Sequence, residues 1–243
     1  MSALAANAEA ADARRADPAA GVRLKVCGAT DPAEIGALAG QPVDFVGLWY
    51  GVPGGPADLP LEDWRRLAAA AAEAGTLAPV LVTFAKDAQV LREALDGSPV
   101  AWVQLHGYQT PGAVRALKRE APGVRVIKVL HVRGGECVEG PLIASYERVG
   151  VDVFLFDAVA EDGRVGSTGE TLDVAYVASL ADRLAKPFLL AGGISADNRD
   201  RHDALTAHPL FLGIDVDTNA RGADGRIAAE NVGAIARAWK GAA

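Results

Sequence analysis

From residue 22 onward, apolar and polar positions alternate over short stretches, and each stretch gives way to a segment of helical period. The first stretch is Val22-Arg23-Leu24-Lys25-Val26-Cys27. Side chains along a strand point to opposite faces with period two, so Lys25 and Cys27 share a face and Cys27 ends the strand. Gly28 turns the chain, and Thr30 or Asp31 with Pro32 opens a helix reaching residue 39. The unit then repeats. The pattern predicts strands over 43–50, 79–84, 100–106, 124–132, 152–157, 187–190 and 210–216. It predicts helices over 61–74, 88–95, 111–120, 142–148, 172–184, 197–205 and 225–240.

Strands alternating with helices imply a parallel sheet, and eight such units favour a closed (β/α)8 barrel, the TIM barrel, over residues 22–243. An open doubly wound sheet carries the same local signals and stays as the alternative. Residues 1–21 are Ala-rich with scattered Asp, Glu and Arg. They read as a disordered tail, because a secretion signal needs an apolar stretch and a transit peptide avoids acidic residues.

Composition narrows the partners. The net charge is −7 and no basic stripe is present, which argues against nucleic acid and against an anionic membrane surface. No apolar run reaches the roughly 18 residues that span a bilayer. Two cysteines, Cys27 and Cys137, have neither metal-ligand nor disulfide spacing. A reducing cytoplasm is the expected compartment, no metal or redox cofactor is expected, and the chain is expected to act as a monomer or homodimer on a small molecule.

Candidate chemistry follows from the barrel, whose active sites lie at the C-terminal ends of the strands. The polar strand ends are Cys27, His106, Asp157 and Asp217. A rim cysteine alone is usually a small hydrophobe. Asp157 closes the apolar run Val153-Phe-Leu-Phe, where a carboxylate is costly unless paired or used. A thiol on the first strand and a carboxyl on the sixth would face each other across the mouth as a base and acid pair. Leu190-Ala-Gly192-Gly193-Ile194 lies between a strand and a helix, where backbone N–H groups favour an anion. Gly166-Ser-Thr-Gly169 is a second loop of that kind.

The motifs Lys25-Val-Cys-Gly28, Val103-Gln104-Leu-His106-Gly107, Phe154-Leu-Phe-Asp157, Gly166-Ser-Thr-Gly169, Leu190-Ala-Gly192-Gly193 and Gly213-Ile-Asp-Val216 occur in this order. Their order and spacing resemble those of the phosphoribosylanthranilate isomerase family, from residue 22 to about 240. The resemblance implies a (β/α)8 barrel and an Amadori rearrangement of an aminated sugar, aldose to ketose, in tryptophan synthesis. It implies Cys27 as general base and Asp157 as general acid. It also points to Gln104, His106, Gly169, Gly192, Gly193, Asp217, Thr218, Arg221 and Trp49 as substrate-binding residues. Lys25 and Asp215 are expected to pair inside the barrel.

Three stretches depart from the family pattern. The loop Gly51–Pro60 has no Arg or Lys where the family keeps an Arg for the anthranilate carboxylate. Asp217-Thr218-Asn219 stands where the family has small residues that receive phosphate, and Arg221 could rotate in to compensate. Tyr108-Gln109 replaces an acidic pair. These changes predict an isomerase of altered substrate. The orthodox enzyme and a non-catalytic metabolite-binding barrel are the alternatives, and an acid-assisted lyase or cyclase reusing the pair is a further one.

Overall fold

The computed structural model describes residues 14–158 and 172–241. Eight parallel strands form the barrel: β1 (Arg23–Cys27), β2 (Phe45–Trp49), β3 (Ala78–Thr83), β4 (Trp102–Leu105), β5 (Arg125–Arg133), β6 (Val153–Ala158), β7 (Phe188–Leu190) and β8 (Phe211–Val216). Each strand pairs with its sequence neighbour, β1 with β8, and β4 with β5, so the sheet closes. The helices are α1 (Pro32–Ala39), α2 (Leu61–Glu73), α3 (Ala88–Leu95), α4 (Pro111–Glu120), α5 (Ile143–Arg148), α6 (Val174–Ala181), α7 (Asp203–Thr206) and α8 (Ala229–Lys240).

Period two sorts the side chains into two cores. Leu24 and Val26 point outward and pack with Trp64, Leu67 and their neighbours beneath the helices. Phe45, Val80, Val82, Trp102, Ile127, Val129, Val153 and Leu155 fill the inside. This inner plug leaves room for chemistry only at the C-terminal mouth. The β1–β8 seam is unusually close. A Cβ on Gly213 would lie 2.0 Å from the Arg23 carbonyl oxygen, so only glycine fits. That register sets Lys25 opposite Asp215.

Turn and cap chemistry places the helices as the sequence suggested. Asp31 accepts the Ala33 N–H at 2.7 Å and starts α1 behind Pro32. Gly28 ends β1 at φ 80°, a left-handed conformation that glycine adopts without steric cost.

The structure differs from the sequence expectation in four places. Residues 14–20, placed in the tail by the sequence, make defined contacts with the barrel. Arg23 donates to the Arg14 carbonyl at 2.8 Å, Pro18–Ala20 form a 3-10 turn capped by Asp17, and Ala16 packs on the inner core. β5 continues into an antiparallel hairpin with the two-residue strand Glu136–Cys137, which the Gly134-Gly135 turn permits. The helix expected over 197–205 shrinks to a 3-10 turn, Arg199–His202, followed by α7, because the Asn198 side chain is spent on the Gly193 carbonyl and the Ser195 N–H. The last helix starts at Ala229 rather than 225, because Arg221 and Ile227 first pair as an antiparallel bridge.

Candidate active site

Cys27 ends β1 with its side chain inside the mouth. Its sulfur accepts the indole N–H of Trp49, from the end of β2, at 3.1 Å. One layer below, the Lys25 ammonium sits 2.9 Å from both oxygens of Asp215. A Cβ on Gly47 would lie 2.7 Å from the Cys27 sulfur and 2.9 Å from the Lys25 nitrogen, so thiol and ammonium converge over this glycine.

Burial pushes the Cys27 thiol up to about 12. Lys25 pulls it down, Asp215 and Asp217 push it up, and the Trp49 N–H pulls it down. The sulfur is therefore a thiol at rest. Burial alone would lower the pKa of Lys25, but Asp215 and the Cys27 sulfur overcome it and raise it, so Lys25 is an ammonium.

Asp157, near the end of β6, is buried with its Oδ2 3.2 Å from His106 Nε2. The contact is close but not aligned as a hydrogen bond, and His106 Nε2 makes none within the protein. Gln104 approaches His106 Nδ1 at 2.8 Å from below. With the Gln104 amide donating, Nε2 carries the imidazole proton and faces the Asp157 carboxyl. Gln104 is fully buried beneath the cavity lining and contacts the His106 ring. Two residues before His106 on a strand, it points the same way one layer deeper.

A cavity of about 50 Å³ collects Cys27, Trp49, His106, Asp157, Gly192, Gly193, Asp217 and Thr218. Most of the sequence candidates therefore converge, with Gln104 beneath, Arg221 behind Asp217 and Gly169 outside the described residues. Gly192 and Gly193 have φ of 82° and 67°, and the Asn219 side chain donates to the Ile194 carbonyl at 2.8 Å. The loops after β7 and β8 are thereby tied into one wall.

Arg221 changes the electrostatics expected of that wall. Its guanidinium contacts Asp217 at 2.7 Å and donates to the carbonyl of Gly28, the residue after Cys27, at 2.9 Å. The Asp217 carboxylate, expected to repel a phosphate, is balanced by a cation at the same wall. Arg221, Thr30, Pro56 and Ala57 line a second cavity of about 330 Å³, which shares Asp217 and Thr218 with the first. Arg65 on α2, the first Arg or Lys after the Gly51–Pro60 loop, donates to the Glu93 carbonyl on the outside.

One group escaped the sequence reading. Lys128 and His131 on β5 and Glu139 after the hairpin are buried together behind His106. The available signal was two polar residues inside the apolar run Val126–Val132, which the strand assignment absorbed. Among the described residues, no cluster of His, Cys, Asp and Glu is placed to hold a metal ion. No helix among them is long and apolar enough to cross a membrane.

The comparisons agree with this geometry. The family model for N-(5'phosphoribosyl)anthranilate (PRA) isomerase matches residues 24–219. A protein of Gloeobacter violaceus named N-(5'-phosphoribosyl)anthranilate isomerase is 32% identical, over 83% of this chain and 87% of its own length. One of the same name from Azorhizobium caulinodans is 31% identical over 91% and 92%. Among solved structures, the phosphoribosylanthranilate isomerase of Thermotoga maritima superposes with a TM-score of 0.72 at 20% identity, covering 91% of this chain and all of that one. That likeness concerns the fold. With a family model spanning most of the barrel and relatives above 30% identity over most of its length, the chain belongs to the N-(5'-phosphoribosyl)anthranilate isomerase family.

Proposed function

We propose that this protein is the orthodox isomerase of its family, converting N-(5-phosphoribosyl)anthranilate into its 1-deoxyribulose isomer. The observation that carries the choice is the Arg221 guanidinium, which balances Asp217 and reaches the Gly28 carbonyl beside Cys27. The loop after β2 brings no cation, but the loop after β8 does. The relatives above 30% identity carry the orthodox name, which adds weight.

In this reading Asp157 gives its proton to the furanose ring oxygen. The C1–O bond breaks with its electrons going to that oxygen, and the anthranilate nitrogen lone pair forms an iminium with C1. Cys27 then removes the C2 proton, and the C–H electron pair neutralises the iminium to an enolamine. Loss of the enol proton and protonation at C1 give the ketone. Hydrogen is redistributed within the substrate, so no external oxidant or reductant is consumed.

The resting thiol becomes a base through its surroundings. Lys25 and the Trp49 N–H both stabilise a thiolate, and an iminium arriving opposite the sulfur adds a positive charge. The N–H groups of the Gly192-Gly193 turn would receive the phosphate. The aromatic carboxylate would lie in the larger cavity towards Arg221.

A steady-state assay with N-(5-phosphoribosyl)anthranilate generated in situ tests the proposal, together with rescue of a tryptophan auxotroph lacking the isomerase. The expected kcat/KM is at least ~10⁴ M⁻¹s⁻¹. No turnover and no rescue would overturn it and favour the altered-substrate reading, for which the absence of Lys and Arg from Gly51–Pro60 speaks.

A further inference from the structure

Four groups behind the acid side of the mouth form a chain of contacts. Glu139 Oε1 is 2.6 Å from His131 Nδ1, and its Oε2 accepts the His131 backbone N–H at 2.9 Å. His131 Nε2 is 2.9 Å from the carbonyl oxygen of His106. His106 Nε2 is 3.2 Å from Asp157 Oδ2. In addition, His131 and Asp157 are in register on adjacent strands. None of His131, Lys128 and Glu139 lines the cavity over Cys27.

The chemistry of the chain fixes its protons. A carbonyl oxygen only accepts, so His131 Nε2 must carry a hydrogen. The Glu139 carboxylate meets the His131 ring, the His131 N–H and, at 3.5 Å, the Lys128 Nζ, whose pKa burial lowers to about 8 against the pull of Glu139. Burial raises the pKa of Glu139, but the His131 hydrogen bond and Lys128 outweigh it and hold the carboxyl below its ordinary range. The Glu139 carboxylate at 2.6 Å from Nδ1 and the His106 carbonyl at 2.9 Å from Nε2 hold the His131 ring at both ends.

The same cluster fixes the rest of the rim segment. Lys128 donates to the Gly107 carbonyl at 2.9 Å, and the Tyr146 hydroxyl donates to the Gln109 carbonyl at 2.7 Å. Tyr108 lies over the His131 ring, 4.6 Å between centroids. Lys128 and Arg133 on β5, Glu139 and Cys137 from the hairpin, Tyr108 and His106 after β4, Tyr146 on α5 and Asp157 on β6 are the titratable and charged groups around this cluster.

We propose that His131 and Glu139 are positioning residues: as a buried hydrogen-bonded pair they pin the His106 carbonyl, and so aim the His106 ring at the Asp157 carboxyl that acts as acid. The proposal rests on the isomerase reading for its kinetic consequence and not for its structural one. An apolar residue in place of Glu139 leaves the His131 ring free to turn, and the His106 segment loses its anchor.

The test is Glu139→Leu, read two ways. The chain has four histidines, so isotope-labelled histidine gives separately assignable ring nitrogens. In the wild type, the His131 Nε2–H is expected to give a ring N–H signal protected from solvent exchange, because it is held on the His106 carbonyl. In Glu139→Leu that protection is expected to be lost, with a changed His106 ring signal. In the activity assay, kcat is expected to fall about 10-fold or more while KM stays within about 3-fold, the signature of a misaimed group rather than lost binding. The alkaline limb of the kcat profile, which the general acid sets, should also move, and a merely structural loss would not cause that.

A His131 ring N–H without protection in the wild type, or an unchanged kcat in folded Glu139→Leu, overturns the proposal. If Glu139→Leu does not fold, His131→Phe carries the kinetic arm and the wild-type ring signal needs no variant. An inactive wild type with a protected His131 ring N–H would sink the isomerase reading and leave the hydrogen-bonded pair standing.

Discussion

Trp49 donates its indole N–H to the sulfur of Cys27 at 3.1 Å, and it is the one side-chain hydrogen bond the thiol receives from the strand beside it. A sulfur pushed up to about 12 by burial needs every donor that favours its anion. Trp49→Phe keeps the aromatic packing and deletes the donor. The sign is upward: the thiol pKa rises further, alkylation of Cys27 by iodoacetamide slows at each pH, and kcat falls. Cys27→Ala and Asp157→Ala should each lower kcat by at least ~10²-fold, the lower range for a general acid or base. An unchanged kcat in either folded variant would remove that residue from its role.

Asp215 and Lys25 act on Cys27 with opposite signs. Lys25 lowers the thiol pKa and Asp215 raises it. Asp215→Asn should therefore make Cys27 more reactive, not less, because the ammonium below it is left without its carboxylate. The same change breaks a buried pair, which costs about 3–5 kcal/mol in typical cases. Denaturant unfolding and alkylation rates on one preparation separate the two effects. Slower alkylation in Asp215→Asn would show that the pair, and not Lys25 alone, supports the thiolate.

Gly47 is a packing requirement of the chemistry. A methyl there would meet the Cys27 sulfur at 2.7 Å and the Lys25 nitrogen at 2.9 Å, both tighter than van der Waals contact. Gly47→Ala is expected to fold, because Gly47 is an interior strand residue with no positive φ. It is expected to lose most of its kcat by displacing the thiol from the Trp49 N–H. A kcat within about 2-fold of wild type would mean that the thiol position is not critical.

The eight-fold repeat was legible in the sequence because strand and helix periods are local, and each strand carried its own alternation. Cys27 and Asp157 were legible for the same reason, since a polar residue that closes an apolar strand marks the rim. The partners of those residues were not. The family resemblance pointed to Gln104 as a substrate-binding residue, and its strand position puts it one layer below His106. Glu139 lies eight residues beyond His131 and meets it only because the Gly134-Gly135 turn folds β5 back on itself. Arg221 was legible as a residue that could compensate Asp217, but the pairing itself depends on a 3-10 turn, Thr218–Ala220, whose direction no periodicity reveals.

That Asp217–Arg221 pair carries the sharpest prediction about binding. Arg221 contacts Asp217 at 2.7 Å and donates to the Gly28 and Gly225 carbonyls at 2.9 Å each, which ties the loop after β8 to the end of β1. Arg221→Met removes the cation and leaves the Asp217 carboxylate facing the proposed substrate, which carries both phosphate and carboxylate. KM should rise about 10-fold or more, with a smaller change in kcat, because the lost interaction is made equally in ground and transition states. Asp217→Ser alone should bind inorganic phosphate at least as well as the wild type, since it deletes a negative charge and keeps the guanidinium. The double variant Arg221→Met/Asp217→Ser should recover part of the affinity lost in Arg221→Met, because the uncompensated carboxylate is gone. Calorimetric titration with phosphate and KM for N-(5-phosphoribosyl)anthranilate complete the cycle for all four proteins, and coupling between touching charges is expected to exceed about 0.5 kcal/mol. Additive effects of the two substitutions would show that Arg221 acts on the substrate without passing through Asp217, and an unchanged KM in Arg221→Met would remove it from the substrate site.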